Sequence, residues 1–469
     1  MRTLLVAVWL SACGPLCAAD LLAGWAQADI TPDRPVALAG QFYTRISTSV
    51  HDPVTATALA LQSGPEQAIM VSLDVVAVDK RLLDLLRVRL KAAIPGFDGR
   101  KLILNATHTH TAPEMREGNY EIPEGVMKPS EFIEFLTDKV GGAAVEAWKA
   151  RRPAGVSWAL GHAVLGYNRR AVFSDGRATM YARLDRPEFM GIEGYEDHAV
   201  ELFFVWTPER RLSGIGVNVA CPSQVAESQH YISADFWDDA RKELRRRYGR
   251  DLFVFPMIGA AGDQSPHVQI RKAAEARMRQ RLGISETEQI ARRIARAVEE
   301  VYPAAAADIR TAVPFAHRVE ELRLPVRKVT EADLEWARQE YARLEKAPAA
   351  QPNRFRLMRR AQEVMERYRR QDRETEFPIE LHVLRLGETA IATNPFELFL
   401  DFGLRIKARS RAEQTFVVQL ACDSAGYLPT AKAVAAGGYG AEIPSNKVGP
   451  EGGQALVDRT VAIIDSMFR

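Results

Sequence analysis

The chain has 469 residues, 47% of them hydrophobic and 26% charged, with a formal net charge of +2. That balance excludes a disordered polyelectrolyte and offers no polyanion-binding surface, so nucleic acid is not an expected partner. The length suits one large α/β domain or two smaller ones.

Arg2 precedes a short apolar run, Leu4 to Ala12, and a small-residue region ending Cys17, Ala18, Ala19. This is the pattern of a secretory signal, too short to span a membrane, and it predicts cleavage after Ala19 and a secreted or periplasmic protein. Leu10-Ser11-Ala12-Cys13 also has the form of a bacterial lipoprotein box, in which Cys13 would carry the lipid and anchor the protein to a membrane. No other apolar stretch is long enough to be a transmembrane helix. After cleavage at Ala19, Cys221 and Cys422 remain; an oxidising compartment would allow them to pair, but two cysteines make no disulfide framework.

Ala23 to Ile30 reads as a first strand closed by the turn Thr31-Pro32, and Val54 to Leu61 and Ala68 to Leu73 as two more. Lys80 to Ile94 carries leucines and valines at helical spacing and stops before Pro95. Leu102 to Asn105 is the next strand, and it delivers Thr107-His108-Thr109-His110. Phe132 to Trp148 is an amphipathic helix with Ser130 as its expected cap. Val200 to Trp206 and Ile215 to Ala220 are strands, the second running into Cys221-Pro222-Ser223-Gln224. Phe236 to Leu244 is helical, and Arg245 to Arg247 offset the dipole at its end. Leu252 to Ile258 is apolar and ends in Gly259-Ala260-Ala261-Gly262-Asp263-Gln264-Ser265-Pro266-His267. Ser285 and Glu288 form a capping box for a helix whose core face is Ile290, Ile294, Val298 and Val301. Glu331 to Arg373 is rich in Arg, Glu, Ala and Leu and reads as two helices split at Pro352, a solvated hairpin and candidate lid to which no chemistry is assigned. Leu381 to Leu386 and Thr389 to Thr393 form a hairpin about Gly387-Glu388. The helix Leu398 to Ala408 and the strand Phe416 to Ala421 follow. Alternating strands and helices predict an α/β fold, a mixed β-sheet core flanked by helices, with residues 20–469 as one catalytic domain.

Five apolar strands end in polar tips: His108 and His110; Cys221 and Ser223; Asp263, Ser265 and His267; Glu397; Asp423 and Tyr427. In α/β sheets ligands gather at the carboxyl ends of strands, so the tips are candidates for one site. Imidazole, thiolate, carboxylate and phenolate are all metal donors, and a catalytic zinc needs three or four of them with one open position. Each tip also has a plain structural role. Glu397 would suit a helix N-terminus, Cys221 and Cys422 a buried core, and Gly259 to Gly262 a tight turn.

On these motifs the chain resembles the neutral, non-lysosomal ceramidases and their bacterial relatives. The resemblance runs from Ala23-Gly24-Trp25-Ala26-Gln27-Ala28-Asp29-Ile30-Thr31-Pro32 through His51-Asp52-Pro53, Thr107 to Pro113, Asn168-Arg169-Arg170 and Gly262 to Pro266. It continues through Pro395-Phe396-Glu397 to Gly426-Tyr427-Leu428-Pro429-Thr430. The expectation is the catalytic domain without the family's C-terminal immunoglobulin-like domain. The resemblance implies one catalytic zinc per chain, with His108, Glu397 and Tyr427 as ligands and His110 as the proton-transfer group. It implies further that Arg169 and Tyr439 support substrate or oxyanion, and that Ser265 matches the family's serine. The family's second ligand histidine, followed by proline, falls on Cys221-Pro222, which implies a thiolate ligand at Cys221, with His230 as a lower-ranked substitute. The implied activity is hydrolysis of an N-acyl amide, ceramide or a related small molecule or lipid, with membrane-surface association as a further expectation. Two rivals are a β/α-barrel amidohydrolase drawing on His230, His267 and Asp263, and a secreted binding protein without full metal ligation.

Overall fold

The computed structural model describes residues 20–468; the signal region with Cys13 and Cys17 lies outside them. Three sheets carry the molecule. The first orders Leu102–Ala106, Glu66–Leu73, Thr55–Ser63, Leu22–Asp29 and Arg152–Pro153; its first pair is parallel and the others antiparallel. The second orders Phe253–Ile258, Leu212–Val219, Ala199–Trp206 and Gly155–His162. The third orders Phe315–Pro325, Glu376–Leu386, Thr389–Thr393 and Gln414–Val418. Each mixes parallel and antiparallel pairs, and none closes into a barrel, so the fold is a mixed α/β one. The largest apolar cluster joins Leu59, Val71 and Leu104 of the first sheet to Phe255 of the second and Phe416 of the third. That shared core holds the three sheets' strand ends in fixed positions.

The hairpin about Gly387-Glu388 forms as expected, with Leu386 opposite Thr389 and Gly387 at a φ of 63°. Ser285 and Glu288 exchange both capping bonds at the start of Glu286–Ala307. The helical hairpin is present as Glu331–Glu345 and Arg354–Arg370.

Several boundaries differ from the sequence reading. Ser130 does not cap: the helix is Pro129–Lys149, with Pro129 in its first turn, and the Glu131 carboxylate accepts from the Lys128 amide. The helix expected from Leu398 begins at Leu400, because Glu397 and Leu398 are drawn into a short strand. The strand expected over Phe416 to Ala421 is Gln414–Val418, and the chain leaves it with Leu420 at φ 52° and Cys422 at φ 64°. Cys221 and Cys422 are both buried and unbridged.

One buried ion pair ties a sheet to a helix. Arg241 of Phe236–Tyr248 donates to both oxygens of Asp74 at 2.8 and 2.9 Å, and Asp74 also accepts from the Thr55 amide and hydroxyl.

Candidate active site

His108 follows the fully buried strand Leu102–Ala106 and adopts a φ of 63°, the left-handed region that few residues other than glycine enter and that recurs at functional turns. Its Nδ1 lies 2.6 Å from the carbonyl of Val76. A carbonyl only accepts, so Nδ1 donates to it and Nε2 is the nitrogen turned toward Glu397. His110 crosses it edge to face, with ring centroids 4.8 Å apart. Its Nε2 is 3.3 Å from that of His108 and accepts from the Gln224 amide at 2.9 Å. On its other side Nδ1 faces the Glu227 carboxylate at 3.6 Å, and Glu227 also pairs with His267 at 3.3 Å. Burial first, then the charges of His108, Arg45 and Arg169, lowers His110 well below the ordinary histidine value, so the ring is neutral.

Glu397 and Tyr427, thirty residues apart, are partners in a parallel ladder of two-residue strands, Glu397–Leu398 against Tyr427–Leu428. The ladder sits so close to the loop after Phe253–Ile258 that a Cβ on Gly262 would collide with the carbonyl of Glu397. Glu397 Oε2 stands 3.5 Å from His108 Nε2. Burial works to raise its carboxyl, but His108, Tyr427 and Arg169 beside it hold it below the ordinary value. Burial and then the charge of Glu397 push the Tyr427 phenol well above its own. The buried guanidinium of Arg169 donates to the Tyr427 oxygen at 3.2 Å and to the Gly262 carbonyl at 2.8 Å. Tyr439 packs edge-on against Tyr427, 5.3 Å between ring centroids.

His108, His110, Glu397, Tyr427 and Tyr439 line one cavity of about 520 Å³. At its floor His108 Nε2 lies 3.3 Å from His110 Nε2 and 3.5 Å from the carboxylate of Glu397. Imidazole nitrogen and carboxylate oxygen gathered in this way are a donor set that fits a cation. The 3.5 Å between His108 Nε2 and Glu397 Oε2 matches the roughly 3.4 Å between two ligands held about 2.0–2.2 Å from a tetrahedral zinc. The backbone carbonyl on Nδ1 is the outer partner that ligating histidines use.

The remaining expected residues lie elsewhere. Ser265 is buried, and its hydroxyl accepts from Tyr181 at 2.9 Å and from the His267 amide at 3.1 Å. Asp263 takes the Leu400 amide and the Asn168 side chain. His230 is exposed. Cys221 does not join His108 and Glu397: its thiol lies in an apolar cluster with Val217, Val219 and Phe236, and among the described residues its hydrogen-bond partner is the Pro222 carbonyl at 3.7 Å. Burial pushes that thiol well above its ordinary value. Among the described residues, the three-donor grouping of histidine, cysteine and carboxylate lies outside the cavity: Glu380, His382 and Cys422, whose ligand atoms fall within 4.8 Å of one another. There Arg87 donates to both oxygens of Glu380, and His382 Nδ1 meets His317 Nε2 at 2.9 Å. The sequence reading missed Gln224, Glu227 and Gly40 around His110, together with the arginines of Arg354–Arg370 that also line the cavity. Their common helical face was the available signal; for Gly40 there was none.

No protein-family model matches the chain, and no curated protein matches it. Among solved structures, neutral ceramidase from Pseudomonas aeruginosa superposes with a TM-score of 0.68 at 18% identity, covering 96% of this chain and 75% of that one. The fold is that of neutral ceramidase. A second structure, a ceramidase complexed with C2, gives a TM-score of 0.66 at 16% identity, over 96% of this chain and 76% of its own. The ceramidase fold thus spans nearly the whole of this chain and about three quarters of each of those two.

Proposed function

We propose that this protein is a zinc-dependent hydrolase that cleaves the amide bond of an N-acyl substrate, ceramide or a related compound. The convergence of His108, Glu397 and Tyr427 at the floor of one cavity carries this reading, and the ceramidase fold supports it. His108, Glu397 and Tyr427 would hold the zinc, which when bound supplies Lewis acidity toward a carbonyl oxygen and a water.

The chain's own residues do the rest. His110 is neutral, with Glu227 beside its Nδ1; in turnover its Nε2 lone pair exchanges the Gln224 N–H for the attacking water, whose proton it accepts and returns to the leaving amine. Arg169 fixes the Tyr427 oxygen and balances the charge of Glu397. Tyr439, on the cavity wall, is the donor available to the developing oxyanion, and loss of such a donor costs on the order of a hundredfold or more in rate. Residues 1–19 supply the export signal that would send this activity to the periplasm or medium.

Elemental analysis of the purified protein, paired with hydrolysis of N-acyl amides, tests the proposal. About one zinc per chain with amide turnover is expected, both falling in His108→Ala. A His108→Ala protein with full zinc and full activity overturns the assignment.

A further inference from the structure

The helix Arg354–Arg370 turns one face to the cavity, and on that face arginines outnumber the two carboxylates, Glu363 and Glu366. Arg356, Arg359, Arg360 and Arg367 all line the cavity, at spacings that share one side of a helix. Among the described residues none of the four forms an ion pair. Arg367 spends its donors on the carbonyls of Ile443 and Arg327. Arg360 lies over the rings of Phe42 and Tyr439, 5.0 and 5.7 Å from their centroids, and donates to the Ser445 hydroxyl. Arg356 lies over Tyr120 at 5.2 Å, and the guanidinium of Arg359 has no hydrogen-bond partner among the described residues.

The neighbouring helix, Glu331–Glu345, shows what a solvated arginine does in this hairpin: Arg338 pairs with Glu335, and Arg343 with Glu340. The cavity-facing helix has acids within reach of the same pattern, but they are taken otherwise. Glu363 pairs with Lys447 at 3.7 Å and Glu366 accepts from Gln362. Three arginine side chains are therefore directed to the cavity without a salt-bridge partner among the described residues, and a single ring, Tyr439, separates Arg360 from Tyr427. Planar guanidinium groups with free forked donors suit carboxylate, sulfonate or phosphate oxygens.

We propose that Arg356, Arg359 and Arg360 form a subsite for a negatively charged group on the substrate, so that the preferred amide carries an anion on its amine side, projecting to the cavity mouth. This rests on the amide-hydrolase reading above and narrows its substrate class.

The test uses the purified, zinc-loaded full chain and four amides with one acyl group: N-lauroylethanolamine, N-lauroylglycine, N-lauroyltaurine and the phosphate ester of N-lauroylethanolamine. At least one anionic amide is expected to exceed the neutral one in kcat/KM by about tenfold or more, and which one does so distinguishes carboxylate, sulfonate and phosphate. In Arg356→Gln/Arg359→Gln the loss is expected to be at least about tenfold greater for that anionic amide than for the neutral one, expressed in KM and weakened by salt. Equal or faster turnover of the neutral amide by the wild type, or a double variant that loses no preference, overturns the subsite. If no amide is turned over, the hydrolase reading falls. Calorimetric binding then decides the subsite alone: tighter binding of an anionic amide, lost in the double variant, sustains it, and equal binding overturns it.

Discussion

Gly40 gives a sharp test of how the site is held. Its φ of 95° suits glycine, and a Cβ there would stand 2.9 Å from His110 Cδ2 and nearer still to Cγ and Nδ1. The loop cannot retreat, because the buried Arg45 donates from one nitrogen to the carbonyls of both Ala39 and His110 at 2.6 Å, and the Ala39 amide is bonded to Ala112. The imidazole must move instead, by about 1 Å at its nearest atoms to regain ordinary contact. That shift breaks the 2.9 Å bond to Gln224 and the 3.3 Å approach to His108. Displacing a reacting group by about 1 Å costs on the order of a hundredfold in rate. The stability cost is the left-handed backbone, about 1–2 kcal/mol, with about 1–3 kcal/mol for the crowding. Gly283→Ala is the control, since Gly283 has a φ of 62° at the end of Lys272–Leu282 with nothing within 4 Å of the added methyl. Steady-state hydrolysis of an N-acyl amide, thermal melting and zinc content should be measured on both. Gly40→Ala should lose roughly a hundredfold in kcat/KM while still folding, and Gly283→Ala should lose only stability. A folded Gly40→Ala protein within about threefold of wild type would refute the placement of His110 in the chemistry.

Arg241→Leu strands the Asp74 carboxylate in the core, and should cost about 3–5 kcal/mol in urea unfolding, most of it recovered by also changing Asp74 to Leu. Independence of the two changes would remove the pair from the account. Partial burial of Glu380 would raise its carboxyl, but the hydrogen bonds and charges of His382 and Arg87 hold it down at about 2. A depressed acid stabilises the fold fully above its unfolded value, so the contribution, on the order of 2–3 kcal/mol, should fade as pH drops from about 4.5 toward 2. The urea-midpoint gap between wild type and Glu380→Gln should narrow over that window, and a gap that ignores pH counts against the network. Cys221→Ala should lose about 1–2 kcal/mol of packing and keep its zinc. Loss of zinc from a folded variant would bring the thiol to the metal.

Much of the architecture follows from local pattern. Lys80–Ala93, Leu102–Ala106 and the Gly387 hairpin declare themselves because period, cap and turn residue agree. Two long strands, Gly155–His162 and Phe315–Pro325, lack that agreement. Both are sheet edges, and the second carries charges along its length, the usual protection of an exposed ladder and the opposite of an apolar alternation. The site divides in the same way. His108 and Glu397 stand out as polar tips on apolar runs, whereas the register that sets Glu397 beside Tyr427 spans two short strands whose pairing depends on the core below them. Cys221 shows where matching by motif gives way to geometry. Side chains alternate along a strand, and the parity of Val217 and Val219 extends to Cys221, carrying all three into one apolar cluster; Ala220, of the other parity, packs in the cluster that contains Tyr427. The arginines of Arg354–Arg370 failed to announce themselves for a different reason. A charged amphipathic helix reads as solvated whichever way it faces, and only the packing of the hairpin over the cavity turns Arg356, Arg359 and Arg360 from a surface into a candidate part of the site.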